Sequence, residues 1–178
     1  MIPCRETKQE EAHITAKTSL HVIEHLADTP CRKHNCSKCC EYGTGTAPES
    51  DLPAIAEHLG VSEEKLKEHY FEPVTRFHTT HWKPKMVSKP YGACVFLGKE
   101  SCTIHSVRPT GCKLSSWNHH GEKLNEWFDL NYFVNAKDPQ SVREWAMKLK
   151  FNKTIPGGEL EALVPDKEKL RKILSHEI

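Results

Sequence analysis

Apolar side chains recur every three or four positions near the start of the chain. Within the span Thr7 to Ala27 they are Ala12, Ala16, Leu20, Ile23 and Leu26. This spacing places them on one face of a helix. Pro30 ends the pattern, because proline cannot continue a helix. We therefore expect an N-terminal helix within residues 1–30.

Two further helices are predicted in the middle of the chain. Asp51 is suited to the position before a helix over Leu52 to Leu59, and Gly60 is suited to end that helix. Ser62 is a suitable first residue for a second helix, which is expected to run to about Tyr70. The two predicted helices would form a compact pair.

The strand patterns are short. Residues 71–90 contain three prolines and no clear period, so we expect irregular structure there with at most a short strand around Met86 to Ser88. The runs Ala93 to Leu97 and Cys102 to His105 flank a glycine-containing turn, which predicts a small hairpin. A further hairpin, rich in aromatic residues, is expected between Leu114 and Phe133.

The last part of the chain contains two helix starts. Asp138-Pro139 begins the first, whose apolar face consists of Val142, Trp145, Ala146 and Leu149. Pro165-Asp166 precedes the second, whose apolar residues are Leu170, Ile173 and Leu174. Together the patterns predict a small α+β fold, mostly helical with short β-hairpins, in a single domain over residues 1–178.

Composition narrows the class of protein. The chain has 178 residues, of which 37% are hydrophobic, and this suits one domain with a modest core. Its 25 Lys and Arg balance 24 Asp and Glu, with no long block of one sign, so we expect no nucleic-acid or membrane-surface partner. No run of about 18 apolar residues is present, and residues 1–11 lack the apolar stretch of a secretory signal. We therefore expect a cytoplasmic protein.

Seven of the eight cysteines fall in two clusters. The first cluster is Cys31, Cys36, Cys39 and Cys40, and the second is Cys94, Cys102 and Cys112. In a reducing cytoplasm, clustered cysteines are more often metal ligands than disulfides. The spacing of Cys36 and Cys39 lets two thiolates reach one metal. Cys4 is distant in sequence from both clusters and is expected to be a free thiol.

The neighbouring Cys39 and Cys40 argue against a simple four-cysteine site. Adjacent side chains diverge in both helix and strand, so a multi-metal centre, or one ligand beside a spare thiol, fits this pair better than one ion. Four thiolates can hold either a 4Fe-4S cluster or zinc. The crowded cysteine set leads us to prefer the iron-sulfur cluster, with zinc as the alternative.

Charged and histidine side chains near the cysteines supply further candidates. A four-thiolate centre would carry a formal charge of about minus two, and the flanking cations that could balance it are Arg32, Lys38, Arg108 and Lys113. His34 and His105 lie beside cysteines and could support the ligands. His78 and His81 form a weaker pair, because no helical spacing supports them, and the same holds for His119-His120. No glycine-rich phosphate loop and no G-x-S-x-G elbow is present.

The cysteine pattern resembles a known family. The order of its motifs is Cys31, Cys36-Ser-Lys-Cys39-Cys40, Cys94-Val-Phe-Leu, Cys102-Thr-Ile-His and Arg108-Pro-Thr-Gly-Cys112. This order is similar to that of the YkgJ-like cysteine-cluster family, described as a zinc- or iron-chelating CxxCxxCC domain. The resemblance covers about residues 31–117, and it implies metal or iron-sulfur binding. His105 and Lys113 stand where many relatives have an aromatic residue and an arginine.

The sequence leaves three functions open. The first is a cytoplasmic metal protein whose iron-sulfur cluster, or zinc, has a structural or electron-transfer role, with an unidentified protein as its partner. The second is a protein-modifying enzyme, since bacterial flagellin lysine N-methylases carry a similar cluster. The third is a zinc-stapled interaction module that presents the helices of residues 138–178. In each case residues 31–117 form the cysteine-cluster core.

Overall fold

The structure is a computed structural model that describes residues 12–27, 37–43, 45–88, 91–99, 101–114 and 120–178. Its helices are α1 Leu20–Ala27, α2 Lys38–Tyr42, α3 Leu52–Leu59, α4 Glu63–Tyr70, α5 Thr110–Lys113, α6 Gly121–Phe128, α7 Pro139–Leu149, α8 Leu160–Leu163 and α9 Lys167–Leu174. Its two strands are β1 Phe71–Arg76 and β2 Thr79–Pro84. Short 3₁₀ turns cover Glu49–Asp51 and His105–Val107, and a π-helical turn over Asp129–Phe133 follows α6 directly. The predicted α+β class, mostly helical, is confirmed.

The N-terminal helix is shorter than predicted. Residues 12–19 are not helical, and residues 1–11 lie outside the described part of the chain. The backbone N–H of Thr15 donates to Thr18 Oγ1 at 2.9 Å, and the N–H of Ala16 donates to the carbonyl of Pro156 at 2.9 Å. These two hydrogen bonds take the place of helical backbone hydrogen bonds. A threonine hydroxyl can compete with backbone carbonyls for a backbone N–H.

The helices with clear end signals are confirmed. Gly60 ends α3 in the left-handed region at φ +65°, which glycine adopts without strain. The Ser62 hydroxyl accepts from the Lys65 N–H at the start of α4. Asp138 accepts from the Gln140 N–H at the start of α7, and Asp166 accepts from the Lys169 N–H at the start of α9. Side-chain oxygens thus satisfy the first free amides of three helices.

The hairpin of β1 and β2 contradicts the irregular structure expected for residues 71–90. The strands pair antiparallel from Phe71 opposite Pro84 to Arg76 opposite Thr79. Its turn residues, Phe77 and His78, have φ values of +47° and +57°, a conformation usually signalled by Asn-Gly. Contacts outside the hairpin hold this turn: the Phe77 ring meets the Trp145 ring edge-on at 5.2 Å, and His78 donates to Asp138 at 2.6 Å. The sequence carries no local signal for it.

The other two predicted hairpins differ from the structure. The one over residues 93–105 is reduced to a single bridge between Leu97 and Cys102, and the strand expected near Met86 is reduced to a bridge with Cys94. The one between Leu114 and Phe133 is wrong, because α6 and the π-helical turn occupy residues 121–133. Three buried residues of α6, namely Leu124, Trp127 and Phe128, have the helical i, i+3, i+4 spacing.

Two hydrophobic clusters meet near the cysteines. The helical cluster combines α1, α6 and α7 through residues that include Ile23, Leu124, Trp127, Phe133 and Trp145. The cysteine-side cluster combines α3, α4 and β1 with Cys94, Phe96 and Ile104. A smaller cluster joins α7 to α9. Within the described ranges, no helix is long and apolar enough to cross a bilayer.

Candidate metal centre

The two cysteine clusters are joined through the backbone. The N–H of Cys94 donates to the carbonyl of Cys40 at 2.7 Å. Cys40 lies in helix α2. Cys40 and Cys102 also pack against the cysteine-side cluster, of which Cys94 is a buried member. The described cysteines of the two clusters therefore share one region of the fold.

All of the described cysteines line a single cavity of about 770 Å³. They are Cys39, Cys40, Cys94, Cys102 and Cys112. The cavity lies where the two hydrophobic clusters meet, since Phe96 comes from one and Phe128 from the other. Cys31 and Cys36, the remaining predicted ligands, lie outside the described residues.

The five described cysteines lie around the cavity without forming a complete set of metal ligands. Among the residues that the structure describes, no three His, Cys, Asp or Glu side chains are placed to hold a metal ion. The donor chemistry nevertheless fits a thiophilic metal, because five cysteines of two sequence clusters line one cavity. The assignment of individual cysteines as ligands stays a prediction.

Backbone amides point at three of the sulfurs. The Cys94 sulfur accepts from the Phe96 N–H, the Cys102 sulfur from the Ile104 N–H, and the Cys112 sulfur from the Gly45 N–H. Each of these bonds lowers the pKa of its thiol, because an amide donor stabilises the thiolate. Amide donors of this kind also support thiolates that bind a metal.

Burial has the opposite and larger effect on the same thiols. It raises the pKa of Cys94 and of Cys102, and it raises that of Cys112 to about 12. A hydrogen bond with Cys39 raises the pKa of Cys40, and burial and the neighbouring thiols raise it further. Without a cation these sulfurs are protonated at neutral pH, so a metal would displace protons when it binds.

Gly45 allows the chain to approach Cys112 closely. A Cβ atom added to Gly45 would lie 2.5 Å from the Cys112 nitrogen and 2.6 Å from its sulfur. The residues next to this contact are equally close: a Cβ added to Gly111, which precedes Cys112, would lie 2.5 Å from the nitrogen of Thr46, which follows Gly45. Only glycine fits at these two positions, so residues 45–46 and 111–112 form one tightly packed wall of the cavity.

Asp51 positions the helix that carries Cys112. Its carboxylate accepts from the Thr110 N–H at 2.6 Å and from the Thr110 hydroxyl at 2.9 Å. The sequence suggested that Asp51 caps α3, but its side chain makes no capping hydrogen bond to that helix. Burial raises the pKa of Asp51, and the two Thr110 bonds oppose that shift. A residue between α2 and α3 thus orients the start of α5.

The predicted charge-balancing residues divide into two groups. Lys38 pairs with Glu41 at 3.1 Å, and Lys113 pairs with Glu24 at 3.3 Å. Arg108 lines the cavity, and its charge lowers the pKa of Cys102 against the larger effect of burial. Arg32 lies outside the described residues.

Arg76 is a cavity residue that the sequence did not indicate. It lies at the end of β1, pairs with Asp129 at 2.7 Å, and stacks over the Phe133 ring at 4.0 Å. Burial raises the pKa of Asp129, and the charge of Arg76 opposes this shift. The sequence analysis did not predict the hairpin of β1 and β2. It therefore could not place Arg76 near the cysteines.

The histidines are spread over different parts of the fold. His105 lines the cavity. His78 bonds to Asp138, and His81 donates to the Tyr132 carbonyl at 2.6 Å, so both serve the hairpin and neither lines the cavity. His120 is buried, and His34 and His119 lie outside the described residues.

Comparison with known families decides the relationship that the cysteine order suggested. The model of the CxxCxxCC family, described as a "putative zinc- or iron-chelating domain", matches residues 30–132, more than half of the chain. The chain belongs to the CxxCxxCC family. The matched span contains all seven clustered cysteines. No curated protein and no solved structure matches the chain.

The CxxCxxCC domain of this chain departs from the motif that names it. Cys36, Cys39 and Cys40 supply the final Cys-x2-Cys-Cys, but Lys33 stands three residues before Cys36, where the name requires a cysteine. Cys31 lies two residues further toward the N-terminus. The first cysteine spacing of the motif is therefore two residues longer in this chain.

Proposed function

We propose that this chain is a cytoplasmic metal protein that holds one thiolate-bound centre with cysteines from both clusters. The centre is an iron-sulfur cluster, preferably 4Fe-4S, and it has a structural or electron-transfer role toward a protein partner. The observation that carries the proposal is the shared cavity, which the thiols Cys39, Cys40, Cys94, Cys102 and Cys112 line together. The zinc- or iron-chelating character of the family supports metal binding itself.

The number and placement of the thiols support the cluster over a single zinc ion. A closed zinc site takes four protein ligands around one ion, and its sulfurs lie at about 2.3 Å. This chain offers seven clustered cysteines, and five of them line a cavity of about 770 Å³. Adjacent Cys39 and Cys40 both line it, which suits a centre with several metal atoms. An iron-sulfur cluster supplies one-electron redox chemistry when bound.

The chain's own residues prepare the site in three ways. Amide donors from Phe96, Ile104 and Gly45 favour the thiolate form of the sulfurs that they contact. The buried side chains of Phe96, Ile104 and Phe128 make part of the cavity wall apolar. Arg76 and Arg108 supply positive charge along the same wall.

Anaerobic purification followed by absorption spectroscopy and metal and sulfide analysis tests the proposal. An iron-sulfur cluster predicts a brown protein with broad absorption near about 400 nm and acid-labile sulfide that accompanies iron. A colourless protein that contains zinc and no sulfide would contradict the iron-sulfur cluster and support the zinc alternative. A folded protein with neither metal would overturn the proposal.

A further inference from the structure

A short antiparallel ladder lies beside the cysteine cavity. Its central pair is Met86 and Cys94, and next to this pair the Val95 N–H donates to the Lys85 carbonyl at 2.9 Å. Successive side chains along a strand point to opposite faces, so the neighbours of Cys94 face away from it. Cys94 is buried and lines the cavity. The other face of the ladder therefore points outward.

The outward face of the ladder is apolar and exposed. Val87 is 74% exposed and Val95 is 36% exposed, and the two valines are diagonal neighbours across the ladder. Tyr91 lies in the segment that joins the two sides of the ladder and is 81% exposed. Contiguous exposed apolar side chains mark interaction sites, whereas scattered ones are ordinary. We call Lys85, Val87, Tyr91 and Val95 the Val87 surface.

Positive charge is concentrated in the part of the sequence that carries this surface. Residues 73–121 contain seven Lys and Arg but only one Asp or Glu, although the whole chain is nearly balanced. Three of these cations pair with acidic residues from outside the segment: Arg76 with Asp129, Lys83 with Glu72, and Lys113 with Glu24.

Two other cations of the segment keep their charge uncompensated. Within the described ranges, neither Lys85 nor Lys99 forms an ion pair with an acidic side chain. Lys85 Nζ donates to the backbone carbonyl of Glu68, which carries no formal charge. Lys99 is exposed and lies four residues after Val95. The Val87 surface is therefore an apolar patch in a positively charged part of the chain.

These features fit a protein partner with an acidic surface. Protein interfaces combine an apolar centre with a polar rim, and opposite charges steer the two partners together. Transient complexes between electron carriers have small interfaces, which suits a surface of a few apolar residues. Nucleic acid suits it less, because binding to DNA rests on many phosphate contacts and the described part of this surface offers few cations.

We propose that the Val87 surface docks an acidic one-electron carrier protein, which exchanges one electron with the centre behind Cys94. This inference deepens the proposed function and rests on it. In the transfer, the reduced carrier loses one electron and the oxidised centre gains it, and no covalent bond forms or breaks. Cys94 directly precedes Val95 and lies on the inner face of the same ladder. Only the ladder would separate a docked carrier from this predicted ligand.

Binding and electron transfer with an acidic plant-type ferredoxin as the probe test the docking surface. The anaerobically purified full chain is compared with Lys85→Glu and Val87→Asp, each of which places a negative charge on the surface. The matched controls are Lys150→Glu and Phe151→Asp, because both residues are exposed and follow α7. Iron, sulfide and the unfolding midpoint are measured for every protein.

We expect the wild type to bind ferredoxin and to accept its electron, with an association rate constant that falls as the salt concentration rises. Lys85→Glu and Val87→Asp should lower this rate constant about tenfold at low salt. Lys85→Glu should also weaken the salt dependence, because it reverses a charge on the surface. Both controls should keep the wild-type rate constant.

The outcomes separate the docking surface from the proposed function. Wild-type protein without iron and sulfide would contradict the proposed function itself. A loaded wild type that does not bind ferredoxin, or equal rate constants in the surface and control variants, would overturn only the docking surface. Binding of duplex DNA or of phosphatidylserine vesicles in place of ferredoxin would overturn it as well. If Lys85→Glu loses its iron, Val87→Asp decides by the same criteria.

Discussion

The backbone N–H of Cys94 donates to the carbonyl of Cys40 at 2.7 Å. This bond joins residues of two cysteine clusters that are far apart in the sequence, and both residues line the same cavity. Two independent metal sites would not need this connection. The bond is consistent with the proposed single centre, because the ligands of one centre must keep fixed positions relative to one another.

Gly45→Ala should weaken metal loading, because an added Cβ would lie 2.6 Å from the Cys112 sulfur. Overpacking of this kind typically costs about 1–3 kcal/mol. Gly43→Ala is the matched control, since a Cβ there meets no atom of the described residues within 4 Å. Metal per chain and the midpoint of thermal unfolding should fall for Gly45→Ala only. Equal loading in both variants would show that the close approach to Cys112 is not needed.

Thr110→Val should loosen the helix that carries Cys112. It removes the hydroxyl that donates to Asp51 at 2.9 Å, and hydrogen bonds to charged groups contribute about 1.5–3 kcal/mol. Thr110→Ser keeps the hydroxyl and is the control. Chelator competition should remove the metal faster from the valine variant than from the serine variant. Identical release rates would mean that the Asp51 contact does not position the ligand.

The pair of His78 and Asp138 should give the hairpin a defined pH dependence. Asp138 raises the pKa of His78 above 6.5, and His78 lowers the pKa of Asp138 below 3.8. The histidine contribution to stability is therefore fully present below pH 6.5 and is lost as the pH rises through the raised pKa. The aspartate contribution is present above pH 3.8 and is lost as the pH falls through the lowered pKa.

His78→Gln and Asp138→Asn test this pair. Each should lower the unfolding midpoint at about pH 5, and the effect should shrink at a higher pH, once the pH has risen through the raised pKa of His78. Asparagine can still accept from the Gln140 N–H at the start of α7, so the helix cap is retained. Equal destabilisation at both pH values would argue against an ion pair.

Metal binding should release protons from the thiols. Burial raises the pKa of Cys112 to about 12, and the pKa values of Cys40, Cys94 and Cys102 are also raised. The thiols are therefore protonated before binding and must ionise to become ligands. Calorimetric titration of metal-free protein with zinc, in buffers of different ionisation enthalpy, should show proton release and affinity that rises with pH. Binding without proton release would contradict thiolate coordination.

Local signals in the sequence account for much of the fold. Helices α3, α4, α7 and α9 were predictable because Gly60, Ser62, Asp138 and Asp166 mark their ends. The hairpin was not predictable, because Phe77 and His78 adopt positive φ without glycine and depend on Trp145 and Asp138 for their contacts.

In the candidate site, too, local sequence patterns were predictive and contacts between distant residues were not. The cysteine pattern identified the thiols, whose spacing is visible along the chain. Arg76 and the role of Asp51 were missed, because each reaches the site through a contact with a residue far away in sequence. Such contacts depend on tertiary packing, which local patterns do not encode.

The central claim is that both clusters hold one centre. Its most direct test is the iron, zinc and sulfide content of the anaerobically purified chain and of Cys39→Ser, Cys94→Ser and Cys4→Ser. The account predicts at least about one site per chain in the wild type, loss of that same metal from both Cys39→Ser and Cys94→Ser, and full retention in Cys4→Ser. Folded wild-type protein without metal, or full metal retention after loss of Cys39 or Cys94, would contradict it.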